Sequence, residues 1–447
     1  MSMLELANAA FKFQVAITSF GAQRFLGMLP MSNSEPLRAV QENLYKAGEA
    51  AKKDFKTNTA LFGAFQFGDK AQSAIASMAS DALSLKILNP NYIRQMATGL
   101  AQGSADAAGS VATGEARHLL KEQFGNTFDV IGFVNHVDAP SCLSEDGTYP
   151  LEEMIDRCYS HGDYPALWYV EGLGERYAEA FMEKDPHVRD LLTSGKAAAA
   201  NAKIQTMMHA GIGITFAKHA VAKLTPWSSD SAYKEAIDEF IKLVKQNSIP
   251  GYEGAALESL GLVTRTWFGQ LVANLSSQLR GIDPDAYEFF WHGAGRAMYF
   301  SPMYMLPGLS AWDAADNEPP NEIACLNARA GVAWAFTIVN SRQPEIAANF
   351  LRSKGDRIAG NDAYTNGVFS TMIMAGDMVP GHQYVSAFGR YLPDASDQAA
   401  VAAWQKHIGT GVEAKVNEYR ETLRKHKKLG EVFRYHNLPH FIASLDK

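Results

Sequence analysis

Cysteine is scarce in this sequence, and long apolar runs are missing. The three cysteines in 447 residues, Cys142, Cys158 and Cys325, show no Cys-x-x-Cys spacing, which excludes a disulfide framework and a cysteine zinc site. Each is expected to behave as a small hydrophobic side chain. No apolar run approaches the ~18 residues of a membrane span. Asn8 to Leu29 comes nearest, but Lys12, Gln14, Gln23 and Arg24 interrupt it, and the residues before it carry Glu5 and neither Lys nor Arg. That is unlike a secretory signal, so a cytoplasmic location is expected. Positive charge is also in short supply, with 41 Lys and Arg against 48 Asp and Glu. A nucleic-acid surface would show as clustered basic residues, and the cluster Arg424-Lys425-His426-Lys427-Lys428 reads instead as a solvated helix face.

What is present is a composition for burying a core. Apolar residues make up 47% and charged residues 20%, which excludes a disordered chain. Residues 1–128 are rich in Ala, Ser, Gln and Lys with apolar side chains at helical spacing, so an all-helical N-terminal region is expected. It reads as a cap or an oligomerisation arm that would make homo-oligomers, or more sharply as an amphipathic surface making peripheral contact with lipid. Residues 129–150 form a junction in which Val130-Ile131-Gly132-Phe133-Val134 is a short strand-like run and Asp146-Gly147 marks a turn. Residues 151–395 return to helical patterning, and residues 396–447 are a helical extension with the basic cluster.

Internal similarity organises the middle of the chain. Val170-Glu171-Gly172-Leu173-Gly174 recurs as Tyr252-Glu253-Gly254-Ala255-Ala256, and Gly211-Ile212-Gly213 recurs as Gly293-Ala294-Gly295, both at an offset of 82 residues. A degenerate third copy, Ala330-Gly331-Val332-Ala333-Trp334 with Asn366-Gly367-Val368-Phe369, follows at an offset near 75. Glycine costs a helix about 1 kcal/mol relative to alanine, so its recurrence at matched places points to helices that cross closely. The expected fold is mainly α: an α-helical repeat domain with two clear repeats and one degenerate one, stacked on a continuous core. The Gly-x-Gly pairs are not nucleotide loops, because the residues before them continue helical patterns where a strand is required.

Four polar residues sit beside these glycines: Glu171, His209, Glu253 and His292. If corresponding helices lie side by side, two carboxylates and two imidazoles would converge, a set suited to iron or another transition metal and to acid/base work. The expectation is a metal site of His209, His292, Glu171 and Glu253. Glu171 and Glu253 would move protons, and Arg296 would hold an acidic group. Trp168, Tyr169, Tyr299, Phe300 and Tyr304, with Met298, Met303 and Met305, would wall a core or an elongated apolar pocket.

The series Glu171-Gly172, His209-Ala210-Gly211-Ile212-Gly213, Gly251-Tyr252-Glu253-Gly254 and Gly293-Ala294-Gly295-Arg296-Ala297-Met298-Tyr299-Phe300 resembles the bacterial enediyne-biosynthesis proteins of the UnbL type. Gly331-Val332-Ala333-Trp334-Ala335-Phe336 fits the same pattern. The likeness covers roughly residues 164–390; where the pattern carries glutamine before its second Gly-x-Gly, this chain has His292. The resemblance implies a tailoring or accessory role on polyketide-derived polyenes. The expected function is therefore that of a tailoring or accessory enzyme, with a second function of a different class as the alternative. The enzyme would be a metal- or cofactor-assisted oxidoreductase acting on a hydrophobic, polyene-like or fatty-acyl small molecule. The alternative is a non-catalytic helical scaffold that binds lipid or a protein partner.

Overall fold

The computed structural model describes residues 137–300 and 309–446, together with residues 122, 123, 125–127, 129, 130 and 133. The expectations for the N-terminal region and for Tyr304, Met303 and Met305 lie outside the described residues. The chain divides into two compact units, Met1–Phe128 with Ser301–Ser310, and Asp129–Phe300 with Ala311–Lys447. The second contains almost all of the described residues.

That unit is all-α, with no strand among the described residues. Its helices are α1 (Leu151–Ser160), α2 (Asp163–Met182), α3 (Gly195–Ala199), α4 (Ala202–Val221), α5 (Asp230–Asn247), α6 (Glu253–Leu257), α7 (Ser259–Trp267), α8 (Val272–Ile282) and α9 (Pro284–Tyr299). After these come α10 (Leu309–Asn317), α11 (Glu322–Asn340), α12 (Pro344–Lys354), α13 (Ala363–Met378), α14 (Gln383–Arg390), α15 (Gln398–His407), α16 (Val412–Lys425) and α17 (Leu438–Leu445). A 3-10 turn, Leu429–Phe433, stands between the last two. The strand-like run near residue 130 is corrected, since Val130 and Phe133 are helical.

Short polar side chains start the helices that matter most. Asn201, Ser229, Asp283 and Asn321 each accept a hydrogen bond from a backbone N–H in the first turn of α4, α5, α9 and α11, using donors that a helix leaves unpaired at that end. Pro284 follows Asp283 at the first helical position, where its missing N–H costs nothing.

The long, apolar helices pack on one another in a closed circuit: α4 on α6 and α7, α7 on α9, α9 on α11, α11 on α13, and α13 back on α4. Helix α2 lies along α4. Helix α11 is long and apolar enough to cross a membrane by composition, and 78% of its apolar window is buried in the unit, which accounts for that composition.

Glycine sets these contacts at two pairs. Residues two apart on a helix point roughly 200° apart, so a Gly-x-Gly pair thins a helix on opposite sides. A methyl at Gly211 would strike the carbonyl oxygen of Glu171 on α2, and one at Gly213 that of Ala256 on α6. In α9 the same holds for Gly293 against Glu258 and for Gly295 against Ala328 of α11. The first glycine meets the helix before, the second the helix after.

This geometry changes the register read from sequence. The counterpart of Glu171 is Glu258, whose carbonyl meets Gly293 as that of Glu171 meets Gly211; it is not Glu253. Gly331 and Gly367 continue the series against the carbonyls of His292 and Ala330. What recurs in the structure is a contact between one helix and its predecessor, 35 to 40 residues earlier, rather than an 82-residue unit.

The C-terminal residues pack into the same unit. The turn Leu429–Phe433 lies against α6, α9 and α13, members of the circuit that are not one another's sequence neighbours. It is fastened by Gly430 N–H donating to Gly251 O at 2.7 Å, Tyr435 N–H to Asn327 Oδ1 at 2.7 Å, Asn366 Nδ2 to His436 O at 2.7 Å, and the Tyr435 hydroxyl to Asp362. The basic cluster is largely ion-paired: Arg424 with Asp377, Lys425 with Asp446 at 3.3 Å, and Lys428 with Glu431 at 3.7 Å.

Candidate functional site: a buried carboxylate, imidazole and guanidinium network

Side chains from α2, from the junction of α6 and α7, from α9 and from α11 converge on one interior point. Arg296 on α9 donates from one terminal nitrogen to Glu258 Oε2 at 2.6 Å and from the other to Glu171 Oε1 at 3.2 Å. His292, one turn earlier on α9, faces the second oxygen of Glu258, with Nδ1 to Oε1 at 2.6 Å. The Arg296 guanidinium lies over the Trp334 ring, 4.4 Å from its centroid. Phe433 from the C-terminal turn covers both aromatic members, its ring 5.7 Å from that of Trp334 and 6.5 Å from that of His292.

Every member is sealed from solvent: Glu171 is 3% exposed, Arg296 2%, and Glu258 and His292 are fully buried. Helix α2, which lies along α4, is not packed on α9, so the Glu171 to Arg296 pair joins two helices through their side chains alone. Burial works against the Arg296 charge, but Glu258 and Glu171 outweigh it and hold its pKa above the ordinary value. Burial lowers the His292 pKa, the Glu258 carboxylate opposing this and Arg296 adding to it. A neutral His292 facing a carboxylate must carry its proton on Nδ1, because an ionised carboxylate only accepts. Its Nε2, the Arg296 Nε and the Trp334 Nε1 have no hydrogen-bond partner among the described residues.

Three of the residues expected from sequence therefore meet: Glu171, His292 and Arg296. Two do not. His209 lies on α4 with both ring nitrogens committed, Nδ1 donating to Gln205 O at 2.6 Å and Nε2 accepting from Ile249 N–H at 2.9 Å, while its face stacks on Tyr252 at 5.2 Å. It is a neutral connector between α4 and the loop after α5, with no lone pair left for a metal. Glu253 is half-buried at the start of α6 and accepts from Gly251 N–H at 2.6 Å, an anion at a helix N-terminus. Arg296, expected to hold an acidic group, is paired with the chain's own carboxylates Glu258 and Glu171.

The metal site expected from His209, His292, Glu171 and Glu253 is accordingly not assembled. Among the described residues no group of three or more His, Cys, Asp and Glu side chains is placed to hold a metal ion. Cys158 is buried in α1, as expected of a small hydrophobic side chain, and burial pushes its thiol up to about 12. Trp168, Met298 and Tyr299 are core residues.

Glu258 is the member that sequence reasoning missed. The signal was present: Glu171-Gly172-Leu173-Gly174 is matched by Glu258-Ser259-Leu260-Gly261, and a methyl at Gly174 or Gly261 would strike a carbonyl of the next long helix, that of Met208 or Phe290.

No protein-family model, curated protein or solved structure matches the chain.

Proposed function

We propose that the described unit is a non-catalytic helical scaffold, with the Glu171, Arg296, Glu258 and His292 network as the clamp of its interior. One observation carries this reading: the polar side chains best suited to chemistry are spent on one another and buried to 3% exposure or less. Buried ion pairs of this kind fix which helices face each other more than they raise stability. Recognition of a lipid surface or a protein partner then belongs to residues 1–128, whose composition motivated it. Flotation of the full-length chain with anionic phospholipid vesicles tests the lipid form. Co-sedimentation with the vesicles supports it, and a chain left entirely in the unbound fraction removes it in favour of a protein partner.

A second reading has one observation in its favour. Glu258 orients His292 as a carboxylate orients a general base, and leaves Nε2 unpartnered. On this reading the chain is a tailoring enzyme for a hydrophobic polyene-like or fatty-acyl substrate, in line with the UnbL-type resemblance, and the cover at Phe433 must open. Diethyl pyrocarbonate labelling with mass spectrometry separates the two. The scaffold reading expects His292 to stay unmodified while exposed His440 reacts; rapid modification of His292 in the folded chain favours the enzyme.

A further inference from the structure

The three unpartnered groups of the network have a definite chemistry. With the His292 proton on Nδ1, Nε2 is an acceptor, whereas Arg296 Nε–H and Trp334 Nε1–H are donors. The side chains that carry them form one contact shell. His292 and Arg296 are one turn apart and share Glu258, the Arg296 guanidinium stacks on Trp334, and Phe433 touches the rings of both Trp334 and His292. Stacking accounts for the faces of Arg296 and Trp334 but uses neither in-plane N–H.

We propose that this shell binds a single water molecule that accepts from Arg296 Nε–H and Trp334 Nε1–H and donates to His292 Nε2. Two donors and one acceptor match the valence of water, and a buried water typically makes about three such bonds. The alternatives fit poorly on charge. An anion would join Glu171 and Glu258, which already outnumber the one guanidinium, and a cation would face two N–H donors. A larger organic ligand has no approach past side chains 0 to 2% exposed, with Phe433 closing the turn side. The bound water completes the hydrogen bonding of the clamp, and the inference stands apart from whether the chain is scaffold or enzyme.

The test is a crystal structure of the full-length chain at a resolution that shows ordered water, with histidine side-chain nitrogen NMR on the same protein. One isolated water peak within hydrogen-bonding distance of His292 Nε2 and Trp334 Nε1, with His292 as the Nδ1–H tautomer, is the expected result. Trp334→Phe, which keeps an aromatic ring and removes the donor, is expected to lose the peak. If that variant fails to fold, the wild-type density and tautomer still decide. Density for an ion or an organic molecule, no density with Nε2 against a protein atom, or a proton on Nε2 overturns the proposal.

Discussion

Glu171 and Glu258 hold the same two relationships in the fold: each backbone carbonyl receives a glycine of a crossing helix, Gly211 and Gly293 respectively, and each carboxylate reaches Arg296. The helix crossings and the buried network are thus one construction. The close approach that glycine permits brings the backbone in, and the guanidinium ties the side chains together.

Adding a methyl at these crossings separates the helices. Gly211→Ala and Gly293→Ala each place Cβ against a backbone carbonyl that cannot swing aside, and are expected to destabilise by about 1–3 kcal/mol, in the range of overpacked cores. Gly281→Ala is the control. It lies exposed near the end of α8 with nothing within reach of a new Cβ, and is expected to be neutral or to stabilise by about 0.5–1 kcal/mol through helix propensity. Urea unfolding midpoints of the three variants check the contrast.

The His209 connector makes stability depend on pH. Burial holds its pKa down at about 4, against an ordinary 6.5. Between these values the unfolded chain carries a proton on this residue that the folded chain refuses, so its contribution to stability is full above the upper value and is lost as pH falls toward the lower. His292 is lowered as well and acts in the same direction. The His209 part amounts to roughly 3 kcal/mol at most. Urea unfolding at about pH 7 and about pH 5 is expected to show a smaller loss on acidification in His209→Gln than in the wild type; an identical loss counts against the neutral connector.

The C-terminal turn closes the interior, so its contacts carry stability far from the chain end. Phe433→Ala removes a fully buried ring between His292 and Trp334 and is expected to cost about 3–5 kcal/mol. Tyr435→Phe removes only the hydrogen bond to Asp362 and is expected to cost about 1–2 kcal/mol. Thermal unfolding of both checks the order; equal and small effects would mean that the turn is not seated as described.

The all-α class was legible because its physical signals are local. Asn201, Ser229, Asp283 and Asn321 start helices by their own side chains, and Gly211-x-Gly213 and Gly293-x-Gly295 announce close crossings. Glu171, His292 and Arg296 stood out for lying beside or within one turn of those glycines. Glu258 did not, because serine follows it where glycine follows Glu171, and the Gly-Tyr-Glu-Gly run at 82 residues drew the pairing to Glu253. His209 stands two residues before its Gly-x-Gly pair and His292 one residue before, and only the return of the chain at Ile249 decides that the second nitrogen of His209 is used. Phe433 is brought to the network by a contact about 140 residues from His292 in the chain, which no periodicity encodes.

The claim that the network is a clamp held by one cation is tested most directly by urea unfolding of three proteins: wild type, Arg296→Met, and Arg296→Met combined with Glu171→Gln and Glu258→Gln. Removing the guanidinium alone leaves two buried carboxylates without their counter-charge and is expected to cost about 3–5 kcal/mol. Neutralising both carboxylates in the same chain is expected to return about half of that loss or more. An Arg296→Met protein as stable as the wild type, or a triple variant no more stable than the single one, would contradict the clamp.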